Sequence, residues 1–264
     1  MPYPLAGHTN SYHTYGFDEA LAGIAAAGFR GVELSAVPGW TEHVDLDSDP
    51  ASVRTKLDGY GLTAVSLSGH SDLTTREGLA HGIKAVEWAG RYGLPVVNTA
   101  VGGHQSADEN EAAFLANVGE LADAAERAGV VVALEIHGDI MASSDVTLPL
   151  LEKIGRDSVK VNYDTANVEF YSGRLAVDDL PKIAGMLAHV HLKDTVGGKG
   201  VWNFPAIGDG HVDFARVLSI LREAGYDGPY SVEIEFQGEP WPPLEDVNEA
   251  MRRSFRHLST LGLS

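Results

Sequence analysis

Acidic and basic side chains recur in this sequence inside short apolar runs, where a strand covered on both faces would carry only hydrocarbon. In VVALEIHGD (residues 131–139), Val132, Leu134 and Ile136 hold one parity, while Ala133, Glu135 and His137 hold the other. Side chains alternate between the two faces of a strand, so one face is greasy and the other turns small, then acidic, then basic. The same pattern recurs downstream. VKVNYD turns Asn162 and Asp164 away from Val159, Val161 and Tyr163; AHVHLKD does so with His189, His191 and Lys193; YSVEIEF does so with Glu233 and Glu235. Ser66, Ser68 and His70 follow from AVSLSGH, and Glu33 from GVEL.

A polar core network accounts for any one strand-end Asp or His, but four consecutive strands fit that account poorly. Clustered carboxylates repel one another, and buried charges need partners. Lys193 alone cannot neutralise three or four of them; a divalent cation can. The expected ligands are Glu135, Asp164, His191 and Glu233. Three carboxylates and one imidazole make a hard, oxygen-rich site suited to Mn²⁺ first, with Mg²⁺ or Co²⁺ as alternatives. Zinc prefers more nitrogen and sulfur.

The elements that must position these groups are legible in a repeat. A glycine at the end of a helical pattern introduces a short apolar strand at Gly28, Gly61, Gly93, Gly129, Gly155, Gly185 and Gly225, at intervals of roughly 30 residues. Glycine suits the left-handed position that closes a helix. Between these glycines, Phe17, Leu21 and Ile24 share one helical face, as do Phe114, Val118 and Leu121. With LAGHTNSYH as the first strand, eight strands alternate with about eight helices. Such alternation implies a parallel sheet with right-handed crossovers. Eight units in 264 residues imply a closed (β/α)₈ TIM barrel, typically of about 250 residues, whose strand C-terminal ends carry catalytic groups. A doubly wound open sheet is the main alternative, but no GxGxxG follows the first strand. With no proline-rich linker or charge block, residues 1–264 are expected to form one barrel domain.

Composition narrows the partners. The formal net charge of −18 argues against nonspecific nucleic-acid binding, which requires a basic surplus to displace counterions. No apolar run approaches the roughly 20 residues of a membrane span. The N-terminus lacks the regions of an export signal, which gives a cytoplasmic expectation. The absence of cysteine excludes disulfides and thiolate metal sites and leaves the redox compartment open. A homo-oligomer or an accessory subunit remains open.

LEIHG, NYDTAN, HVHLKD and SVEIEF, in that order, resemble the xylose isomerase-like barrels known as sugar phosphate isomerases/epimerases. That group includes ketose 3-epimerases, hydroxypyruvate isomerase, and inosose isomerases and dehydratases. The resemblance covers nearly the whole chain, including AGFRGVEL and residues 208–214, and implies the same ligands: Glu135, Asp164, His191 and Glu233. Two departures matter. Many relatives carry D-x-x-H after strand six, where this chain has Asn167. Endonuclease IV, a DNA-repair relative, needs a larger His-rich three-zinc set, and here Asn98 and Asn167 stand at two of its histidine positions. His211 follows a GxG pair and does not compensate. The nuclease reading is remote.

Other residues are weaker candidates. His70, His137, Asn167 and Lys193 are expected to face substrate; His8 and His13 have lesser claims. Trp202, on the glycine-rich DTVGGKGVWNF loop with Lys199 and Phe204, could cover the barrel mouth and stack on a sugar. That loop could instead cradle a phosphate, or be a plain turn. Trp40 and Trp241 lie on the same rim, whereas Trp88 falls within a helix and is explained by packing.

The leading functional expectation is an isomerase or epimerase of a ketose or related polyol ketone, working through a metal-stabilised enediolate. Glu135 and Glu233, taken as four strands apart in a ring of eight, would flank the cavity from opposite sides as an acid–base pair. The alternative is a lyase, either an inosose-type dehydratase or an eliminating subunit acting on 3-keto-glycosides. A non-catalytic sugar-binding barrel would not need the metal constellation.

Overall fold

Apolar strand faces and amphipathic helices leave few ways of burying both, and the chain adopts the closed one. A computed structural model describes residues 3–102 and 107–264. Its strands are β1 (Ala6–His8), β2 (Gly31–Ser35), β3 (Thr63–Ser68), β4 (Val96–Thr99), β5 (Val131–Glu135), β6 (Val159–Asp164), β7 (Leu187–Leu192) and β8 (Tyr230–Val232). They hydrogen-bond in sequence order, and β8 pairs with β1 in parallel to close the barrel. Around it run α1 (Phe17–Ala27), α2 (Pro50–Tyr60), α3 (Arg76–Tyr92), α4 (Ala107–Ala128), α5 (Ser144–Ile154), α6 (Asn167–Ser172), α7 (Ala176–Ile183), α8 (Phe214–Glu223) and α9 (Leu244–Thr260).

The apolar core lies between strands and helices, where Val132, Leu134, Val161, Tyr163, Val190, Leu192 and Val232 are fully buried. The opposite parity fills the barrel with polar groups: Glu33, Asn162, Asp164, His189 and His191 are equally buried. Register decides which of them meet. At β6–β7 it shifts so that Asn162 faces His189 and Asp164 faces His191. The additional residue, Ala188, keeps the inward sets of both strands in step; a slip of one would turn one set into the apolar layer.

Three local expectations are corrected. Only Ala6–His8 of the first segment is strand, and Thr9–Tyr12 winds into a 3₁₀ turn. Within that turn Ser11 Oγ accepts Ile234 N–H and Asn10 reaches Glu233, bonds that an extended strand would not make. The unit after β6 has two helices, because the left-handed Gly173 (φ 79°) stops α6 before α7 starts. Gly28, Gly61, Gly93, Gly129, Gly155 and Gly225 take the expected left-handed backbone. Gly185 does not: it lies in a 3₁₀ turn, Ala184–Met186, that leads directly into β7.

Candidate metal and sugar site

The ends of β5 to β8 converge. Glu135, Asp164, His191 and Glu233 each offer a ligand atom within 4.8 Å of the others, and all four are buried. His191 is set by Glu33 on β2, whose Oε2 accepts from Nε2 at 3.0 Å. That leaves Nδ1 facing the acids, 3.3 Å from Glu135 Oε2, 3.5 Å from Glu233 Oε2 and 4.0 Å from Asp164 Oδ2. A carboxylate behind a histidine fixes its tautomer and orientation, as commonly seen behind metal ligands. Glu33 also accepts from Asn98, the neighbour that holds its other oxygen.

Asp164 gives the clearest indication of a cation site. Its Oδ1 accepts the N–H groups of Ala166 and Asn167, both at 2.8 Å. Its Oδ2 is buried without a hydrogen-bond partner, and the Lys193 Nζ stands 3.6 Å away. Burial raises the Asp164 carboxyl to about 7, with Lys193 opposing and the charges of Glu135 and Glu233 adding. A buried polar atom without a partner demands an explanation. A divalent ion among these donors provides one, and three carboxylates with one imidazole suit a hard cation.

The two outer glutamates are held symmetrically. Glu135 Oε2 accepts from His70 Nε2 at 3.0 Å and Asn162 at 3.3 Å, while its Oε1 accepts from Asn167 Nδ2 at 2.9 Å. Glu233 Oε1 accepts from His8 Nδ1 and Asn10 Nδ2, both at 3.0 Å, and Oε2 takes Lys193 at 3.1 Å. Burial works against both anions, but His191 and His70 hold the Glu135 carboxyl well below the usual range, as Lys193, His191 and His8 do for Glu233. The strands β5 and β8 are three apart in the ring, not four. The glutamates therefore face a shared centre obliquely from two separate walls rather than from diametrically opposed ones.

A cleft of ≈ 410 Å³ opens above this centre. His70, His137, Asn167, Lys193 and Trp202 all line it, as do Trp40, Asp72, Tyr171 and Glu235. His137 packs edge-on to Tyr171 with ring centroids 5.1 Å apart. Trp40 stacks on His13 at 3.7 Å, and its Nε1 donates to Asn10. Lys193 is buried, ion-paired with Glu235 as well as Glu233, with Nζ 4.5 Å above the Phe204 ring. Trp241 is buried and donates to Ser11 O, away from the lining. Lys199 is exposed and outside it. His211 pairs with Glu169 at 2.8 Å on the surface. Parity marked Glu33 as inward but could not assign it to His191, and Asn10 carried no signal, because both contacts join segments far apart in sequence.

The loop after β7 is tied by the buried Asp194. Its carboxylate accepts Thr195, Gly208, Gly210 and Val212 N–H groups at 2.9, 2.8, 2.9 and 3.1 Å. Asp194→Ala leaves these amides to partial hydration, so the variant is expected to lose about 2–3 kcal/mol of stability in urea unfolding. An unchanged midpoint would mean that the loop does not depend on this anchor.

The sequence profile of the xylose isomerase-like TIM barrel family matches residues 21–260. L-ribulose-5-phosphate 3-epimerase UlaE of Salmonella paratyphi A and its counterpart in Salmonella typhi are each 30% identical over 172 residues, 64% of this chain. The match spans 60% of the length of these curated relatives. Among solved structures, D-allulose 3-epimerase from Methylomonas sp. superposes with a TM-score of 0.77 at 22% identity, covering 98% of this chain and 97% of that one. D-psicose 3-epimerase from Clostridium cellulolyticum H10 gives 0.78 at 13% identity, covering 99% and 100%. Likeness at these identities speaks for the fold, and it agrees with the profile that extends over most of the chain. The chain belongs to the xylose isomerase-like TIM barrel family.

Proposed function

We propose that the protein is a divalent-metal-dependent sugar epimerase or isomerase acting on a ketose or related polyol ketone. The observation that carries this reading is the convergence of Glu135, Asp164, His191 and Glu233 within 4.8 Å beneath an aromatic-walled cleft. The epimerase names of the matched relatives point the same way. These four residues would hold the ion, Mn²⁺ being the best match to the donors and Mg²⁺ or Co²⁺ the alternatives. When bound, the ion supplies positive charge against the enediolate that proton removal beside a carbonyl creates.

The chain's own groups do the rest. Glu135 and Glu233 act as the acid–base pair. Each keeps one oxygen near His191 and has the other held by a neutral amide, Asn167 or Asn10, which orients the carboxylate without protonating it. One glutamate takes the proton from the carbon next to the carbonyl, and the other delivers one to the opposite face. His70, His137 and Lys193 line the cleft and would bond substrate hydroxyls. Trp40 and Trp202, which line the cleft, pack on the apolar side of a sugar and exclude water from the carbanion.

The test is conversion. Protein reconstituted with Mn²⁺ and incubated with D-allulose, D-tagatose, L-ribulose and L-ribulose 5-phosphate is expected to yield an epimer or an aldose from at least one, followed by NMR. No conversion of any of the four by metal-replete protein rejects the reading. A β-eliminated product would instead establish the lyase alternative.

A further inference from the structure

In (β/α)₈ barrels, phosphate is frequently held by the loops after strands seven and eight together with a helix N-terminus. Such loops work by turning several main-chain N–H groups toward one anion. The loop after β7 has that arrangement, but the anion belongs to the chain. Four amides, from Thr195, Gly208, Gly210 and Val212, converge on the buried Asp194 carboxylate at 2.8 to 3.1 Å. The helix starts that follow carry acidic residues as well. Asp213 caps α8 by accepting Arg216 N–H at 2.9 Å, and α9 opens with Glu245 and Asp246 in its first turn.

Among the described lining residues, positive charge is scarce and already committed. Lys193 is the one lysine or arginine among the described lining residues. Its Nζ already faces Glu233 at 3.1 Å and Asp164 at 3.6 Å, and is ion-paired with Glu235. Asp72 adds a further carboxylate to the lining, while Trp40, Trp202 and Tyr171 supply apolar surface. A phosphate dianion entering here meets like charge from Asp72 and Glu235 and a nest after β7 already filled by Asp194, whereas a neutral polyol meets hydrogen-bonding groups and aromatic rings.

We propose that the cleft selects an uncharged ketose and discriminates against its phosphate ester, with Asp194 occupying the backbone nest that a phosphate would need. This rests on the sugar-epimerase reading and narrows its substrate class. It also departs from the phosphorylated substrate named for the matched Salmonella relatives.

The test pairs L-ribulose with L-ribulose 5-phosphate and D-allulose with D-allulose 6-phosphate on Mn²⁺-reconstituted protein. Binding is read from tryptophan fluorescence, since Trp40 and Trp202 line the cleft, and turnover from NMR. The free sugar is expected to bind more tightly in at least one pair, with kcat/KM at least about 10²-fold above that of its ester, the scale that a misplaced like charge imposes. Inorganic phosphate should not compete. Equal or better use of an ester overturns the inference while leaving the epimerase reading intact. Turnover of neither member of either pair rejects the epimerase reading, and the binding ratio then decides alone. Tighter binding of the free sugar supports the inference; parity, preference for the ester or binding of neither overturns it.

Discussion

Glu135→Gln and Glu233→Gln are each expected to lower kcat by at least about 10²-fold, the low end for removing a general acid or base. Glutamine keeps the shape of the side chain, so the hydrogen bonds from Asn167 to position 135 and from Asn10 to position 233 can still orient it. What is lost is the ability to take a proton, together with one charge of the cation site. Turnover of an active ketose in D₂O should place deuterium on the carbon beside the carbonyl. The two variants need not behave alike: one that exchanges this proton without completing the reaction identifies the glutamate that acts first. In a lyase the corresponding variant would exchange without expelling the leaving group. Metal content has to be measured in each variant, because a lost ion mimics a lost base. Substantial turnover by a metal-replete double variant would move the base to His70, His137 or Lys193.

Stripping the divalent ion with a chelator is expected to abolish turnover and lower Tm by about 5–10 °C, the effect of losing a ligand held at a hundred times its Kd in a domain of this size. Mn²⁺, Co²⁺ or Mg²⁺ should restore both. The pH dependence carries a definite sign. Burial raises the Asp164 carboxyl to about 7 in the metal-free protein, so its proton must leave before it can ligate. Burial disfavours the His191 imidazolium, but Glu33, Glu233 and Glu135 outweigh this and hold its pKa well above the usual value, so His191 has a proton to surrender too. Affinity should therefore climb as pH rises through about 7 and continue to climb above it. The raised Asp164 value favours the metal-free fold at low pH and ceases to do so above about 7, so the difference in Tm between loaded and stripped protein should widen in the same direction. Full activity after verified removal of the ion, or an affinity that falls with rising pH, would contradict this account of the cluster.

The barrel was legible because each unit repeats the same local signals: a helix-closing glycine, a short apolar run, and an amphipathic helix. The four candidate ligands were legible for a related reason. Period-two alternation states which face a side chain occupies, and Glu135, Asp164, His191 and Glu233 all interrupt the polar-poor pattern at strand ends. Depth and partnership were not legible. Glu33 reaches His191, and Asn10 reaches Glu233, across 158 and 223 residues of sequence, separations that no periodicity encodes. The 3₁₀ turn of Thr9–Tyr12 was hidden because Asn10 and Ser11 form it through tertiary hydrogen bonds rather than local propensity. Gly185 imitates the helix-closing glycines in sequence, yet the short turn into β7 needs no left-handed residue there. The Ala188 register shift lay beyond reach, since only the neighbouring strand defines it.

The loop that carries Trp202 has a consequence for how this chain can diversify. Its base is fastened by Asp194, while Val196, Val201 and Trp202 near its tip are 46%, 51% and 37% exposed. Exchanges at exposed positions away from buried networks usually change stability by less than about 0.5 kcal/mol, so variants at Val196, Lys199 and Val201 stay above the threshold for folding, while Trp202, which packs on Phe204 with ring centroids 5.2 Å apart, is the tip residue that lines the cleft. Anchor and tip are thus separable: selection can sample new recognition surfaces at the tip without disturbing the carboxylates beneath. A library confined to Val196, Lys199, Val201 and Trp202 is accordingly where new ligand preferences should appear with the fewest unfolded members.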